Sequence, residues 1–183
     1  MALLQIVTKE DPILRKTSRP VDQITPRIVQ LLDDMVETLH KANGAGLAAV
    51  QVGVLRRVVL VETPEVGLVE MINPEIIASE GEQCDLEGCL SVPDVWGETK
   101  RPMTVTVRFL NRAGESVTLT GSGLTARAFC HELDHLDGKL FIDHARILTA
   151  EELQALEQAE EEASARRPSR RRHKKRRQTE EEA

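Results

Sequence analysis

His131 and His135, four residues apart with Glu132 beside the first, constrain this chain more than any other stretch. On an α-helix, positions i and i+4 lie one turn apart on one face, so the two imidazoles can grip one metal ion if the segment is helical. Glu132 then lies close enough to handle a proton beside that ion. Leu124, Ala128, Phe129, Leu133 and Leu136 leave such a helix few wholly polar faces, which predicts burial against a sheet. Burial suits a catalytic metal, because it holds the ligands rigidly and lowers the local dielectric. The helix is expected to begin near residues 122 to 125 and to stop at Gly138, a residue suited to the left-handed C-terminal position.

The surrounding chain is read from its periodicity and punctuation. Pro26 fits a first helical position and Thr25 is placed to cap it. Ile28, Leu31, Leu32, Met35, Val36 and Leu39 then form one apolar stripe before Asn43-Gly44. Residues 57–62 and 69–72 read as short buried strands, broken by Thr63-Pro64 and Asn73-Pro74. Met103, Val105, Val107 and Phe109 alternate with polar residues, and a turn at 111–114 leads into 116–120, which predicts an antiparallel hairpin with one face buried. Thr149 and Glu152 form a capping box for a last helix. Short antiparallel strands and hairpins around a buried metal-binding helix, with an N-terminal-half core helix and a C-terminal helix, define an α+β fold.

Charge is distributed unevenly. Residues 166–177 hold nine Arg or Lys and no acid, whereas residues 1–165 carry 15 basic against 27 acidic side chains. A body that acidic should not bind nucleic acid through its general surface. Residues 166–183 lack packing side chains and are expected to be disordered. Three cysteines, Cys84, Cys89 and Cys130, favour a reducing compartment over a disulfide framework. The apolar run at residues 1–7 is too short for a secretory h-region, and no stretch is apolar enough to span a membrane, so the cytoplasm is the expected location.

Two histidines are too few for a mononuclear site, and Cys89, in Glu87-Gly88-Cys89-Leu90-Ser91, is the best third ligand. A third stretch, Gly44-Ala45-Gly46-Leu47-Ala48-Ala49-Val50-Gln51, carries two glycines that follow a helix and lead to a glutamine. Taken in order, Gly-x-Gly-Leu-Ala-Ala-x-Gln, Glu-Gly-Cys-Leu-Ser and His-Glu-x-x-His resemble the signature set of the peptide deformylases. The resemblance runs from about residue 3 to residue 148 and includes Asp134, Leu136-Asp137-Gly138 and Phe141-Ile142-Asp143. The arginine-rich tail is the departure from that pattern.

The resemblance implies a metal-dependent hydrolase that removes the formyl group from the formylmethionine of nascent peptides and releases formate. It implies that Cys89, His131 and His135 ligate one divalent ion, Fe²⁺ in the family with Zn²⁺, Ni²⁺ or Co²⁺ tolerated, leaving a fourth position for water. Ligand types alone suggest zinc. Glu132 is the implied base and later acid, and Gln51 and the backbone N–H of Leu90 are the implied partners of the formyl oxygen. Substrate backbone is expected along Ala45 and Gly46, and the methionine side chain against Leu124 and Ala128. Arg127 is expected at the rim with its head in water, and Glu87 with Arg101 as a brace for the cysteine loop.

The implied organisation is a catalytic domain over 1–148, a helix over 149–165 and a basic tail over 166–183, the tail being a candidate contact to the ribosome or ribosomal RNA. Two rival readings are a metallopeptidase, for which His144 is the downstream ligand on offer, and a metal-stabilised RNA-binding module.

Overall fold

A computed structural model of the protein describes residues 2–165; the disorder expected for 166–183 lies outside them. In chain order the elements are α1 (Pro26–Ala42), β1 (Gly46–Ala48), β2 (Val58–Thr63), β3 (Gly67–Glu80), β4 (Gln83–Cys89), β5 (Val92–Arg101), β6 (Thr104–Leu110), β7 (Ser116–Ser122), α2 (Leu124–Leu136), β8 (Arg146–Ile147) and α3 (Ala150–Ala165). The strands form a five-stranded sheet in the order β1-β2-β3-β6-β7 and a three-stranded sheet in the order β4-β5-β8, all pairs antiparallel. The architecture is α+β.

The larger sheet is covered on both faces near β2, which explains the unbroken apolar run there. Val58 and Leu60 join Leu32, Met35 and Leu39 of α1 in one core cluster, while Val59 and Val61 join Ala126, Phe129, Leu133 and Leu136 of α2 in the other. Successive strand side chains point to opposite faces, so a strand with a helix on each side must be apolar at every position. Helix α1 follows its predicted stripe and ends where Asn43 turns left-handed, at φ 53°. Thr25 occupies the N-cap position, but its side chain makes no capping hydrogen bond.

Strand β3 corrects the expectation of a break at Asn73-Pro74. Asn73 takes a positive φ of 52° and the register slips between Ile72 and Glu75, so the strand bulges and continues. Proline has no N–H to give a ladder and is tolerated at such a bulge. The Asn73 carboxamide then accepts from Val21 N and donates to Val21 O, at 2.8 and 2.9 Å, which ties the N-terminal lead-in to the sheet. The hairpin of β6 and β7 forms as predicted, with Val105, Val107 and Phe109 buried.

Helix α2 is pressed close to the sheet. A Cβ added at Gly121 of β7 would lie 2.3 Å from Thr125 Cγ2, so only glycine allows this approach. Thr63 and Thr125 share a buried hydroxyl hydrogen bond of 2.8 Å, which fixes the first turn of the helix against the end of β2. At the other end Gly138, at φ 73°, sits under the Arg15 carbonyl, where a Cβ would be 2.6 Å from the oxygen.

The chain divides into two compact units, with the break between Ile147 and Leu148. In the second, Glu152 N donates to Thr149 Oγ1 and Thr149 N to Glu152 Oε2, the reciprocal capping that the sequence predicts for α3. No helix among the described residues is long and apolar enough to cross a membrane.

Candidate active site

Cys89 ends β4, and His131 and His135 lie on consecutive turns of α2; their donor atoms all fall within 4.8 Å of one another. The sulfur stands 3.2 Å from His135 Nε2. A bulge between Glu87 and Cys89 turns the sulfur toward the helix. His131 Nδ1 bonds the Glu87 carboxylate at 3.0 Å, which makes Nδ1 the protonated nitrogen and leaves the Nε2 lone pair for a metal. One cysteine sulfur and two imidazole nitrogens on a rigid frame fit a divalent transition ion held by three protein donors with a fourth position open. His144, by contrast, is exposed and stands outside this group.

Glu132 is buried, and its Oε2 has no hydrogen-bond partner among the described residues. Burial pushes its carboxyl up to about 7, against the pull of His131. Such a group can both take and return a proton near neutral pH. Its place is set by Gly46: a Cβ there would lie 2.4 Å from Glu132 Oε1. Gln51, also buried, uses its Oε1 to accept from Ala48 N at 2.8 Å, which turns its amide nitrogen toward Ser91 Oγ, 3.1 Å away, and the Cys89 sulfur, 3.6 Å away. A donor is thereby aimed at the metal-ligating group.

Glu87 is the hub behind the ligands. Burial opposes its ionisation, yet hydrogen bonds from His131, Arg101 and Thr99 outweigh that cost and hold the carboxyl well below the usual carboxylate range. Arg101 Nε donates to Glu87 Oε1 at 2.8 Å, and its Nη1 to Asp134 Oδ2 at 2.7 Å, so one guanidinium joins the cysteine hairpin to the helix. The Glu87–Arg101 brace expected from sequence is therefore present, with an added reach to Asp134. Arg127 departs from expectation. Its head is not in water but buried, donating to Glu87 Oε1 at 3.1 Å and to Thr99. A second cation balances a carboxylate that would otherwise be buried with too little compensation.

Cys89, His131, Glu132, Glu87 and Arg127 line a cavity of about 460 Å³ that Ala45, Gly46, Gln51, Leu90, Leu124 and Ala128 also line. Ala128 is buried, while Leu124 is 55% exposed and lies at the mouth. Strand β1 is an edge of the five-stranded sheet, so its unpaired side borders this space. Sequence reasoning missed Trp96, whose ring lies across Gly88: a Cβ on that glycine would be 3.1 Å from the indole. It also missed Ser91 as the partner that orients Gln51. The available signal was the placement of the chain's single Trp a few residues beyond the Glu-Gly-Cys-Leu-Ser stretch.

A cysteine and a His-Glu-x-x-His helix joined at one cavity, with a buried carboxylate beside them, define a metal-dependent hydrolase. Comparison with known proteins narrows the class. The polypeptide deformylase family matches residues 3–151. A peptide deformylase of Alkaliphilus metalliredigens is 56% identical over 143 residues, covering 78% of this chain and 97% of the relative. The crystal structure of peptide deformylase from Thermotoga maritima superposes with a TM-score of 0.76 at 36% identity, over 79% of this chain and 98% of that one. A Met-Ala-Ser-bound class I type b peptide deformylase from Acinetobacter baumannii gives a TM-score of 0.74 at 35% identity, over 78% and 98%. The chain belongs to the polypeptide deformylase family, and its activity is the removal of the N-formyl group from nascent peptides. That assignment displaces the metallopeptidase and the RNA-binding module.

Proposed function

We propose that Cys89, His131 and His135 hold one ferrous ion and that Glu132 performs the proton transfers of formyl hydrolysis. The observation that carries this reading is the meeting of the Cys89 sulfur and both imidazoles beside a buried carboxylate, with Cys89, His131 and Glu132 lining one cavity. A divalent ion bound there supplies Lewis acidity toward water and the formyl carbonyl. Because an anionic thiolate offsets more of the ion's charge than a third imidazole would, activation of water needs a protein base.

Glu132 takes the proton as water adds to the formyl carbon, then delivers it to the departing amine as the C–N bond breaks; formate and a free N-terminal methionine result. Gln51 Nε2 and the backbone N–H of Leu90 donate to the oxygen that gains negative charge. The peptide lies as an added strand along Ala45 and Gly46, a mode that the free edge of β1 supports. Its methionine side chain packs on Ala128, with Leu124 at the mouth; the tripeptide named in the Acinetobacter structure also begins with methionine.

The test is a formate-release assay on formyl-Met-Ala-Ser, with protein purified without oxygen and its metal measured. One iron per chain and one formate per free amine are expected. One metal per chain without formate release overturns the reading.

Residues 1–148 form the catalytic domain, 149–165 an added helix and 166–183 a basic tail, working in the cytoplasm. The nine positive charges of 166–177 contact ribosomal RNA with salt-sensitive affinity. Co-sedimentation with ribosomes at low salt, expected to fall when 166–183 is deleted, checks this; unchanged co-sedimentation removes it.

A further inference from the structure

A second groove, of about 750 Å³, shares no lining residue with the cavity beside Glu132. Ten arginines fall within the described residues. Seven are ion-paired to carboxylates: Arg15, Arg57, Arg101, Arg108, Arg112, Arg127 and Arg146. The three without a carboxylate partner among the described residues, Arg19, Arg27 and Arg56, all line this one groove.

Backbone geometry holds two of them together. Arg19 and Arg56 face each other across an isolated parallel bridge, with Arg57 N donating to Arg19 O at 2.9 Å. Like charges on neighbouring strands repel, so the two side chains add no stability beyond that of the backbone bridge. Arg56 Nη1 bonds the Pro20 carbonyl at 3.2 Å, which neutralises nothing. Asp22 lines the same groove but is ion-paired to none of the three. In a body where acids outnumber bases, this is a local concentration of uncompensated positive charge.

The ligand is therefore anionic, and the remaining lining says which kind. Ile28, Leu31 and Val54 contribute aliphatic surface, and no aromatic side chain lines the groove. A groove that binds single-stranded nucleic acid combines positive charge with aromatic rings on which bases stack, and this groove has no ring. An aliphatic surface flanked by guanidinium forks suits leucine-type side chains alternating with carboxylates. We propose that the groove docks an acidic, leucine-bearing peptide segment of a partner protein, with its carboxylates on Arg19, Arg27 and Arg56.

The test uses the full chain and fluorescence anisotropy with a labelled acetyl-Glu-Leu-Glu-Glu-Leu-Glu amide. Three further arms are the same peptide with glycine for leucine, a labelled ten-nucleotide oligouridylate, and the R19Q/R27Q/R56Q variant. None of the three arginines belongs to the catalytic machinery, so formate release by the variant should be unchanged and reports its folding. The expected result is that the variant binds the acidic peptide about 10-fold more weakly, in line with the loss of three surface ion pairs. The glycine peptide should bind the parent chain more weakly than the leucine peptide.

Equal affinity in parent and variant would place binding elsewhere, the basic run 166–177 included, and overturn the proposal; so would no binding to the parent. Loss of oligouridylate binding in the variant with the peptide unaffected would make the groove a phosphate site instead. Self-association abolished by the variant would assign it to a second copy of the chain. Should the triple variant lose formate release, R19Q and R27Q alone are each expected to weaken peptide binding about 2-fold, and no change in either overturns the proposal.

Discussion

A missing carbon at position 46 sets where Glu132 stands. Because a Cβ there would come within 2.4 Å of Oε1, Gly46→Ala must push the carboxylate away from the cavity or shift β1. A displacement of about 1 Å at a reacting group costs about 10²-fold in rate. Gly46→Ala is therefore expected to lose about that much kcat in formate release while keeping its metal, as measured by elemental analysis. Glu132→Ala removes the proposed proton carrier and should lose about 10²- to 10⁴-fold with metal content intact. Gln51→Leu should lose about 10²- to 10³-fold, since its amide nitrogen is the donor aimed beside Cys89. The meeting of His131 and His135 was legible from their helical spacing, whereas Cys89 was legible only from its place in the Glu-Gly-Cys-Leu-Ser stretch. Gly46 read only as a rail for the peptide backbone, since nothing in the sequence reports that a side chain from α2 would rest against it.

At the scale of elements, the hairpin of β4 and β5 holds Cys89 in place, and the sequence hid it. A half-buried hairpin shows itself by apolar alternation, as β6 and β7 do. On β4 and β5 the buried positions include Glu87, Thr99 and Arg101, because this face looks onto a charge network rather than an oily core. Strand β3 misled for a related reason: Asn73-Pro74 is a turn signal that here makes a bulge, held by the Asn73 bonds to Val21. Arg101→Ala tests how far the hairpin depends on its ions. It would leave Glu87 and Asp134 each without one partner, and breaking a buried pair costs about 3–5 kcal/mol. Loss of support behind a metal-ligating histidine lowers metal affinity about 10- to 100-fold. Denaturant melts and metal titration are expected to show both losses. Arg101→Lys should recover only part, because a lysine cannot span Glu87 and Asp134 with one planar fork.

Across the whole catalytic unit, strand order explains why distant motifs meet. Strands β4 and β5 are inserted between β3 and β6, which are themselves neighbours in the larger sheet, so the cysteine hairpin leaves that sheet and comes to rest beside α2. The α+β class was readable from periodicity, whereas this excursion was not, since local patterns do not say which strands pair. The metal then joins two elements that the larger sheet does not pair directly, and its removal should be felt unevenly. A ligand at 100 times its Kd stabilises the folded state by about 2.7 kcal/mol, which for a chain of this size corresponds to a drop of about 5–10 °C in Tm on chelation. Hydrogen exchange of the chelated protein should show the loss of protection concentrated in β4, β5 and α2. The cluster of α1 with Val58 and Leu60, which contains no ligand, should keep its protection. Uniform loss across both clusters would mean that the ion stabilises the unit as a whole; no loss would mean that the Glu87 network alone holds the ligands in position.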